Sequence, residues 1–419
     1  MAARIGIGYR LITWRNRNRS EDEAQRRMSA YHRKSAERIL KTATELRGML
    51  IKTGQLLGAR ADVVPEEYVE VLSALHDAVP PKPYSTIRDV IESELGLPVS
   101  EVFAELEETP IAAASLAQVH RGRLHDGRDV AVKVQYPEIE EIVKTDLQNI
   151  RLIARVAGFF FRDYDLKAIV DELANNVPLE LDFIHEGHNA ELSARNFAGD
   201  DNIIIPDIYW EHTTRRVLIM EFVDGIKITD FAAIDAAGID RQEIARLVMG
   251  SYFRQIFAHG FFHADPHPGN LFVRPGPKLV IVDYGLAKQL PPEFLKGFIR
   301  LTSALVTADS AALVPALREL GFRTKHEDDE SGLEAMGQSM VTWMSQNGEM
   351  NQDRQMMSEF QDRMMRAYRE NPIVKIPGDF LFIGRVMGLL GGLGNQLGSE
   401  LNLLDVLGSE LYESIESPS

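Results

Sequence analysis

One stretch in the second half of the chain constrains the fold and the chemistry more than any other. Two apolar residues, Phe261 and Phe262, precede Asp265, and an asparagine follows five residues later at Asn270. A later aliphatic segment is followed by Asp283, Tyr284 and Gly285. This spacing is typical of a phosphoryl-transfer site, in which the first aspartate accepts a proton from the nucleophile or orients it. The asparagine and the second aspartate, on adjoining loops, would hold magnesium, which binds a few hard oxygen ligands and keeps several waters.

Each of these residues is ordinary when it is taken alone. Asp and Asn are common in loops, and an Asp-aromatic-Gly sequence such as that at 283–285 often forms a simple turn. The pattern as a whole favours catalysis over turn chemistry, because the joint spacing is much harder to obtain by accident.

The chain is long enough and apolar enough to bury a large core. Its 419 residues are 45% hydrophobic and 26% charged, and this length favours two or three units or one two-lobed body. The formal net charge of −16 argues against nucleic acid as a partner, because general nucleic-acid binders need a basic field. The absence of cysteine removes disulfides, thiolate zinc sites and cysteine nucleophiles, and it favours a reducing compartment.

The apolar stretches of the sequence are too short for a conventional membrane-spanning helix, which needs about 20 such residues. The nearest approach, Phe380 to Leu397, is rich in glycine and is interrupted by Arg385. Such a segment suits close helix packing in a lobe or contact with a membrane surface. We therefore expect a cytoplasmic protein, with peripheral attachment to a membrane as the alternative.

The first part of the chain is predicted to be a helical extension over residues 1–90. Apolar residues recur at three- and four-residue steps between Tyr31 and Arg60, which is typical of an amphipathic helix. The sequence Lys-Thr-Gly-Gln at 52–55 lies near the end of this helix, and prolines at 80, 81 and 83 close the extension.

Short strands follow this extension and are typical of the small lobe of a kinase-like fold, which we place, with a helical insert, at residues 91–225. An alanine-rich loop precedes a strand, a turn at 125–127 and a second strand that contains Lys133. In a kinase-like lobe such a loop covers the nucleotide phosphates, and the strand lysine contacts them. The predicted phosphate-covering residues are Ala112, Ala113, Ala114 and Ser115.

A further strand begins at Val217 and continues through Glu221 to Val223, where it enters a linker. A two-lobed kinase offers backbone groups to adenine at this position, although a buried strand that ends in a turn would look the same in isolation. Helices dominate the remainder, so residues 226–419 are predicted to form a helix-rich C-terminal lobe.

Together these motifs resemble those of the ABC1/UbiB/AarF family of atypical kinase-like proteins, also called the ADCK or Coq8 group. The resemblance implies an α+β, two-lobed protein-kinase-like fold with ATP and Mg²⁺ bound between the lobes. It also implies a link to isoprenoid quinone biosynthesis or lipid homeostasis, and hence a lipid or quinone-precursor ligand and an anionic membrane surface as partners. The motifs occur in the family's order: Lys-x-Gly-Gln at 52–55, the alanine-rich loop at 112–118, the lysine at 133, Glu-x-Asp at 180–182, and the Asp265/Asn270 and Asp283 sites.

The resemblance also assigns a role to each matching residue. Asp265 would be the catalytic aspartate, and Asn270 and Asp283 would be the metal ligands. Lys133 would pair with the α- and β-phosphates and would be held by Glu186. The residues expected to lie together over the active site and gate it are Lys52, Gln55, Glu180 and Asp182.

The sequence departs from ordinary protein kinases in two places. Alanines replace the glycines of the phosphate-covering loop and restrict its backbone, and no Ala-Pro-Glu follows Gly285, so the usual peptide platform is not expected. Two alternatives stay open: a small-molecule kinase of the aminoglycoside or choline type, and a nucleotide-binding scaffold that performs no chemistry. The sequence names neither a protein partner nor a phosphoryl acceptor.

Overall fold

The structure is a computed structural model, and it describes most of the chain outside the N-terminal segment. The described residues are 21–46, 81–114, 116–158, 181–307, 309–326, 328–345 and 373–399, with shorter pieces at 8, 11–12, 15–16, 19, 174, 178–179, 371, 401 and 406–408. The chain divides into two compact units: Met1–His188 with Asp207–Phe222, and Asn189–Pro206 with Val223–Ser419.

Runs of helices and runs of strands follow one another along the described chain, and nearly all strand pairs are antiparallel, as the predicted α+β class requires. The helices are α1 (Glu21–Leu46), α2 (Tyr84–Leu95), α3 (Val99–Val102), α4 (Ile139–Gly158), α5 (Phe183–Asn196), α6 (Phe231–Ala236), α7 (Arg241–Phe257), α8 (Pro292–Val306), α9 (Ser310–Leu320), α10 (Ser331–Ser345) and α11 (Gly378–Gln396). The strands are β1 (Phe103–Leu106), β2 (Ala112–Ala113), β3 (Ala117–Leu124), β4 (Asp129–Gln135), β5 (Ile203–Ile204), β6 (Val217–Glu221), β7 (Ile226–Lys227), β8 (Phe261–His263), β9 (Leu271–Arg274), β10 (Lys278–Ile281), β11 (Ala287–Gln289), β12 (Arg323–Thr324) and β13 (Ile373–Lys375).

The first unit is built on an antiparallel sheet in which strands follow the order β1-β3-β4-β6, with β2 paired to β3. The predicted turn between β3 and β4 is confirmed, and Gly127 takes a φ of 93° there, a conformation that glycine adopts without a steric penalty. Side chains alternate along β4, so Val130, Val132 and Val134 pack into one apolar cluster with α2, whereas Ala131 faces a second cluster that contains Phe183.

Within the described residues, the second unit combines one four-stranded sheet and two two-stranded ribbons, one of them β12–β13, with a set of packed helices. One sheet has the strand order β5-β10-β9-β7, and β8 forms a separate ribbon with β11. Helix α7 begins at the cap of Asp240, whose side chain accepts a hydrogen bond from the backbone N of Gln242, and it is buried along most of its length. A helix that is apolar on several sides belongs in the centre of a core, and α7 accordingly lies against β8 and α11.

Two expectations for the N-terminal extension lie partly or wholly outside the described residues. The amphipathic helix predicted over 31–60 is present as α1 up to Leu46, and the following residues, which include Lys52 and Gln55, are not among those described. None of the helices in the described ranges is both long enough and apolar enough to cross a bilayer.

A buried polar pair fastens residue 82 to the sheet of the first unit. The side-chain Oε1 of Gln118 accepts a hydrogen bond from the backbone N of Lys82 at 2.8 Å, and its Nε2 donates to the same residue's carbonyl at 3.3 Å. That Nε2 also lies 2.9 Å from Nε2 of His120, whose Nδ1 donates to the carbonyl of Glu107 at 2.7 Å. His120 is therefore neutral in this arrangement, with its proton on Nδ1.

This arrangement predicts a pH-dependent stability. Burial lowers the pKa of His120 below its ordinary value of 6.5, so the unfolded chain takes up a proton at a higher pH than the folded protein does. Stability should therefore fall as the pH drops below about 6.5. We expect His120→Asn to reduce the difference in unfolding free energy between about pH 7.5 and 5.5, as measured by urea denaturation. The control is His125→Gln, which changes an exposed histidine in the turn of the same hairpin; an equal reduction in both variants would contradict the role of His120.

Candidate active site

Lys133 and Glu186 form a buried ion pair within the first unit. Lys133 lies on the same face of β4 as Ala131, and α5 carries Glu186 to that face. The lysine Nζ is 2.7 Å from Oε1 and 2.9 Å from Oε2 of the glutamate, and only 12% and 2% of the two side chains are exposed. Nζ also lies 5.2 Å from the ring centroid of Phe183. A desolvated pair of this kind persists only with close geometry, so the lysine head is held in one position.

Asp182, which the resemblance places in the gate, caps the helix that carries Glu186. Its Oδ1 accepts hydrogen bonds from the backbone N of Ile184 at 3.1 Å and of His185 at 3.4 Å, as an N-cap residue does. The other predicted gate residues, Lys52, Gln55 and Glu180, lie outside the described residues. The assembly of this group therefore stays a prediction.

The described part of the alanine-rich segment pairs with β3. Ala112 pairs with Val119 and Ala113 with Gln118, and the backbone N of Ala114 donates to the carbonyl of Ala117 at 2.8 Å. Ala112 and Ala113 therefore form a short strand, and Ala114 is bonded to the first residue of β3. Ser115 is not among the described residues.

The predicted adenine-contacting segment follows the last strand of the sheet. Glu221 pairs with Val130 at the end of β6, and the backbone N of Phe222 donates to the carbonyl of Asp129 at 3.1 Å. The first unit ends at this residue, and Val223 begins the following part of the second unit.

In the second unit, two strand pairings bring the aspartate and asparagine loops to the same place. The β8–β11 ribbon sets His263 opposite Ala287, and the β9–β10 hairpin sets Leu271 opposite Ile281. The hairpin continues beyond its strands, because the backbone N of Val282 donates to the carbonyl of Asn270 at 3.0 Å. Asn270 and Asp283 therefore lie at the same end of this hairpin.

Asp283 has a backbone conformation that is unusual for a residue with a side chain. Its φ is 66°, in the left-handed region, where strain is stored and must be stabilised by the surroundings. The imidazole Nε2 of His263 donates to its carbonyl at 2.6 Å, and its own Oδ1 accepts from the backbone N of Gly285 at 3.3 Å. Burial lowers the pKa of His263, which favours the neutral ring.

Asp265 is held from a distant part of the sequence. A guanidinium nitrogen of Arg385, on α11, donates to its Oδ1 at 2.8 Å, and 9% of the arginine side chain and 28% of the aspartate side chain are exposed. The carbonyl of Asp265 accepts hydrogen bonds from the backbone N of His267 at 2.6 Å and from Nδ2 of Asn270 at 3.3 Å. The loop is thus fixed through both its backbone and its carboxylate.

Two residues that contact the predicted site were given no role from the sequence. Arg385 was identified only as an interruption, yet it is the sole charged residue between Phe380 and Leu397, and a lone charge in an apolar helix needs a partner. His263 precedes Asp265 by two residues, and its contact with the carbonyl of Asp283 depends on how two separate ribbons pack.

The oxygen donors of this site fit magnesium better than a softer metal. Asn270 and Asp283 offer an amide and a carboxylate oxygen, and Mg²⁺ binds few protein ligands of this type. Within the described residues, no group of three or more His, Cys, Asp or Glu side chains could hold a metal ion. A site made mainly of protein ligands, such as structural zinc uses, is therefore not found in this part of the chain.

The chain is similar to known proteins over the region that contains these residues. A family model described as the ABC1 atypical kinase-like domain matches residues 74–317. AarF domain-containing protein kinase 1 of Gallus gallus is 39% identical over 316 residues, which cover 74% of this chain and 61% of the relative. The chloroplastic protein ACTIVITY OF BC1 COMPLEX KINASE 8 of Arabidopsis thaliana is 32% identical over 394 residues, which cover 85% of this chain and 51% of the relative. The chain thus spans less than two thirds of either relative.

A solved structure has a similar fold. The Rv3197–erythromycin complex from Mycobacterium tuberculosis matches with a TM-score of 0.61 and 25% sequence identity, covering 95% of this chain and 100% of that one. The expected α+β, protein-kinase-like fold is therefore confirmed. Since the family model covers more than half of the residues, the chain belongs to the ABC1 atypical kinase-like family.

Proposed function

We propose that this chain is an atypical kinase or ATPase that uses ATP with Mg²⁺. The observation that carries the proposal is the buried ion pair of Lys133 and Glu186, because a strand lysine held by a helix glutamate is how kinases present a cation to nucleotide phosphates. The loops of Asp265, Asn270 and Asp283 supply the remaining groups that phosphoryl transfer requires.

The residues of each unit have distinct tasks in this proposal. In the first unit, Lys133 would donate to phosphate oxygens while Glu186 keeps the ammonium extended. The segment of Ala112, Ala113, Ala114 and Ser115 would cover the phosphates, and backbone groups of Glu221 and Val223 would contact adenine.

In the second unit, Asp265 would orient the attacking hydroxyl or water, and Arg385 would keep its carboxylate in place. Asn270 and Asp283 would hold Mg²⁺, which, when bound, neutralises charge on the phosphate oxygens. These roles follow the chemistry of the side chains.

The N-terminal segment and the acceptor complete the proposal. Lys52, Gln55, Glu180 and Asp182 would form a gate over the site, and the missing Ala-Pro-Glu sequence favours an acceptor other than a peptide. Membership of this family supports a role in isoprenoid quinone biosynthesis or lipid homeostasis, with a lipid or quinone precursor as ligand and an anionic membrane surface as partner.

Lys133→Met should weaken ATP binding and slow turnover. Removal of a charge-assisted hydrogen bond to phosphate costs about 1.5–3 kcal/mol, so the dissociation constant should rise about 10- to 100-fold, as measured by calorimetric titration with ATP. The matched control is Lys375→Met, which removes an exposed strand lysine and should leave affinity unchanged. Unaltered affinity in Lys133→Met would contradict the phosphate contact.

Asp283→Asn should abolish the magnesium-dependent part of the thermal stabilisation by nucleotide. Ligand that binds the folded state raises the melting temperature by mass action, and an amide in place of the carboxylate removes the charged metal ligand. The melting temperature is to be compared with ATP alone and with ATP plus MgCl₂. Asp201→Asn, which changes an exposed aspartate of the same unit, should retain the full shift, and a full shift in Asp283→Asn would refute the assignment.

Asp265→Asn should lower ATP turnover about 100-fold or more while nucleotide binding stays nearly intact, since loss of a positioned base or orienting group affects the chemical step. Turnover by the parent also tests the alternatives, because a scaffold would show none. If binding and turnover fall in parallel, Asp265 holds ligand instead of acting in the reaction.

A further inference from the structure

We propose that Tyr252 of α7 is a positioning residue for the Asp283 loop and acts through His263. The effect of Tyr252 on the Asp283 loop is a property of the metal-free protein. Only the expected change in Mg²⁺ affinity rests on the proposed function.

The hydrogen bonds around His263 fix its tautomer from both sides. Nε2 of the ring is 2.6 Å from the carbonyl oxygen of Asp283, and Nδ1 is 2.9 Å from the hydroxyl oxygen of Tyr252. A carbonyl oxygen only accepts, so Nε2 carries the proton, and Nδ1 of the neutral ring must accept from the tyrosine hydroxyl. Burial raises the pKa of Tyr252 well above its ordinary value, so its hydroxyl remains a donor.

The hydrogen bonds from Tyr252 to His263 and from His263 to Asp283 form a relay. The tautomer of His263 matters because this relay ends at the strained residue Asp283. A side-chain-bearing residue in the left-handed region costs about 1–3 kcal/mol and persists only where its surroundings determine the conformation. The bond from His263 holds the carbonyl of Asp283 directly. Without a proton on Nε2, two acceptors would face each other at this distance and the hold would be lost.

Helix α7 holds His263 at two points. Besides the hydroxyl of Tyr252, the side-chain Oε1 of Gln255 accepts from the backbone N of His263 at 2.9 Å. These residues are three positions apart and share one face of the helix. Tyr252, Gln255 and His263 are all essentially buried, so water does not substitute for the missing donor when the hydroxyl is removed. The buried face of α7 therefore determines, through His263, where the loop of Asp283 lies.

Tyr252→Phe tests the proposal in the metal-free protein, because it removes one oxygen and keeps the ring. We expect ¹⁵N NMR to show a single Nε2–H tautomer of His263 in the parent and a mixture in the variant. The amide of Gly285 donates to Asp283 Oδ1 and should exchange with solvent about 10-fold faster. This change corresponds to about 1.4 kcal/mol of lost free energy of local closure. The apparent Mg²⁺ affinity in the presence of ATP should fall about 10-fold, as for loss of an outer partner of a metal ligand.

Tyr136→Phe is the matched control. Tyr136 is also buried, but it lies in the first unit, and its hydroxyl has no hydrogen-bond partner among the residues that the structure describes. This variant should change none of the three measurements.

A second variant separates the relay from a general loss of packing. In His263→Gln, the side-chain amide can donate near the position of Nε2 without any tautomer to set. Adding Tyr252→Phe to this variant should then leave exchange of Gly285 unchanged, although the same substitution in the parent accelerates it.

The outcomes separate the two proposals. Unchanged tautomer and exchange in Tyr252→Phe, or equal acceleration in the His263→Gln background, would overturn the relay. If Gly285 exchanges faster in Tyr252→Phe than in the parent, but ATP binding by the parent does not respond to Mg²⁺, the relay is supported and the proposed function is contradicted.

Discussion

An ammonium group buried on an apolar strand must meet a carboxylate, and this constraint organises the first unit. Lys133 lies in a strand of valine and alanine whose two faces are both covered. Burial of an isolated ion costs several kcal/mol, so the fold must bring Glu186 to Nζ. That requirement sets the position at which α5 begins, and Asp182 fixes this position by capping the first turn.

The second unit is subject to a different constraint. Its candidate groups are Asp and Asn side chains, which are usually exposed and mobile, and the fold must restrict their positions. The carboxylate of Asp265 is held by α11, the carbonyl of Asp283 by His263 beneath it, and Asn270 by the hairpin that it terminates. Supports from three separate parts of the fold converge on two short loops. Such convergence keeps these candidate groups within narrow limits.

The sequence predicted what depends on local spacing and failed where distant segments meet. The hairpin before Lys133 and the fold class were predictable, because turn residues and strand periodicity are written in adjacent positions. The Arg385–Asp265 pair joins residues 120 apart in the chain, and no local pattern specifies such a contact. Asp182 shows a third case: its type and position before a helix predict the N-cap that the structure contains, and the gate that the resemblance implies for it stays a prediction. Ala112 and Ala113 form a short strand where the sequence predicted a loop, and this difference depends on their pairing with β3.

The position of Arg385 bears on where the functional boundary of this protein lies. The region matched by the family model ends at residue 317, and it contains the lysine, glutamate, aspartates and asparagine discussed above. A fragment cut at that boundary would keep these motif residues and lose α11, and with it the guanidinium that contacts the carboxylate of Asp265. Such a fragment would also expose the face of α7 against which α11 packs. A fragment that keeps the contact with Asp265 therefore has to include α11, which lies well beyond the region matched by the family model.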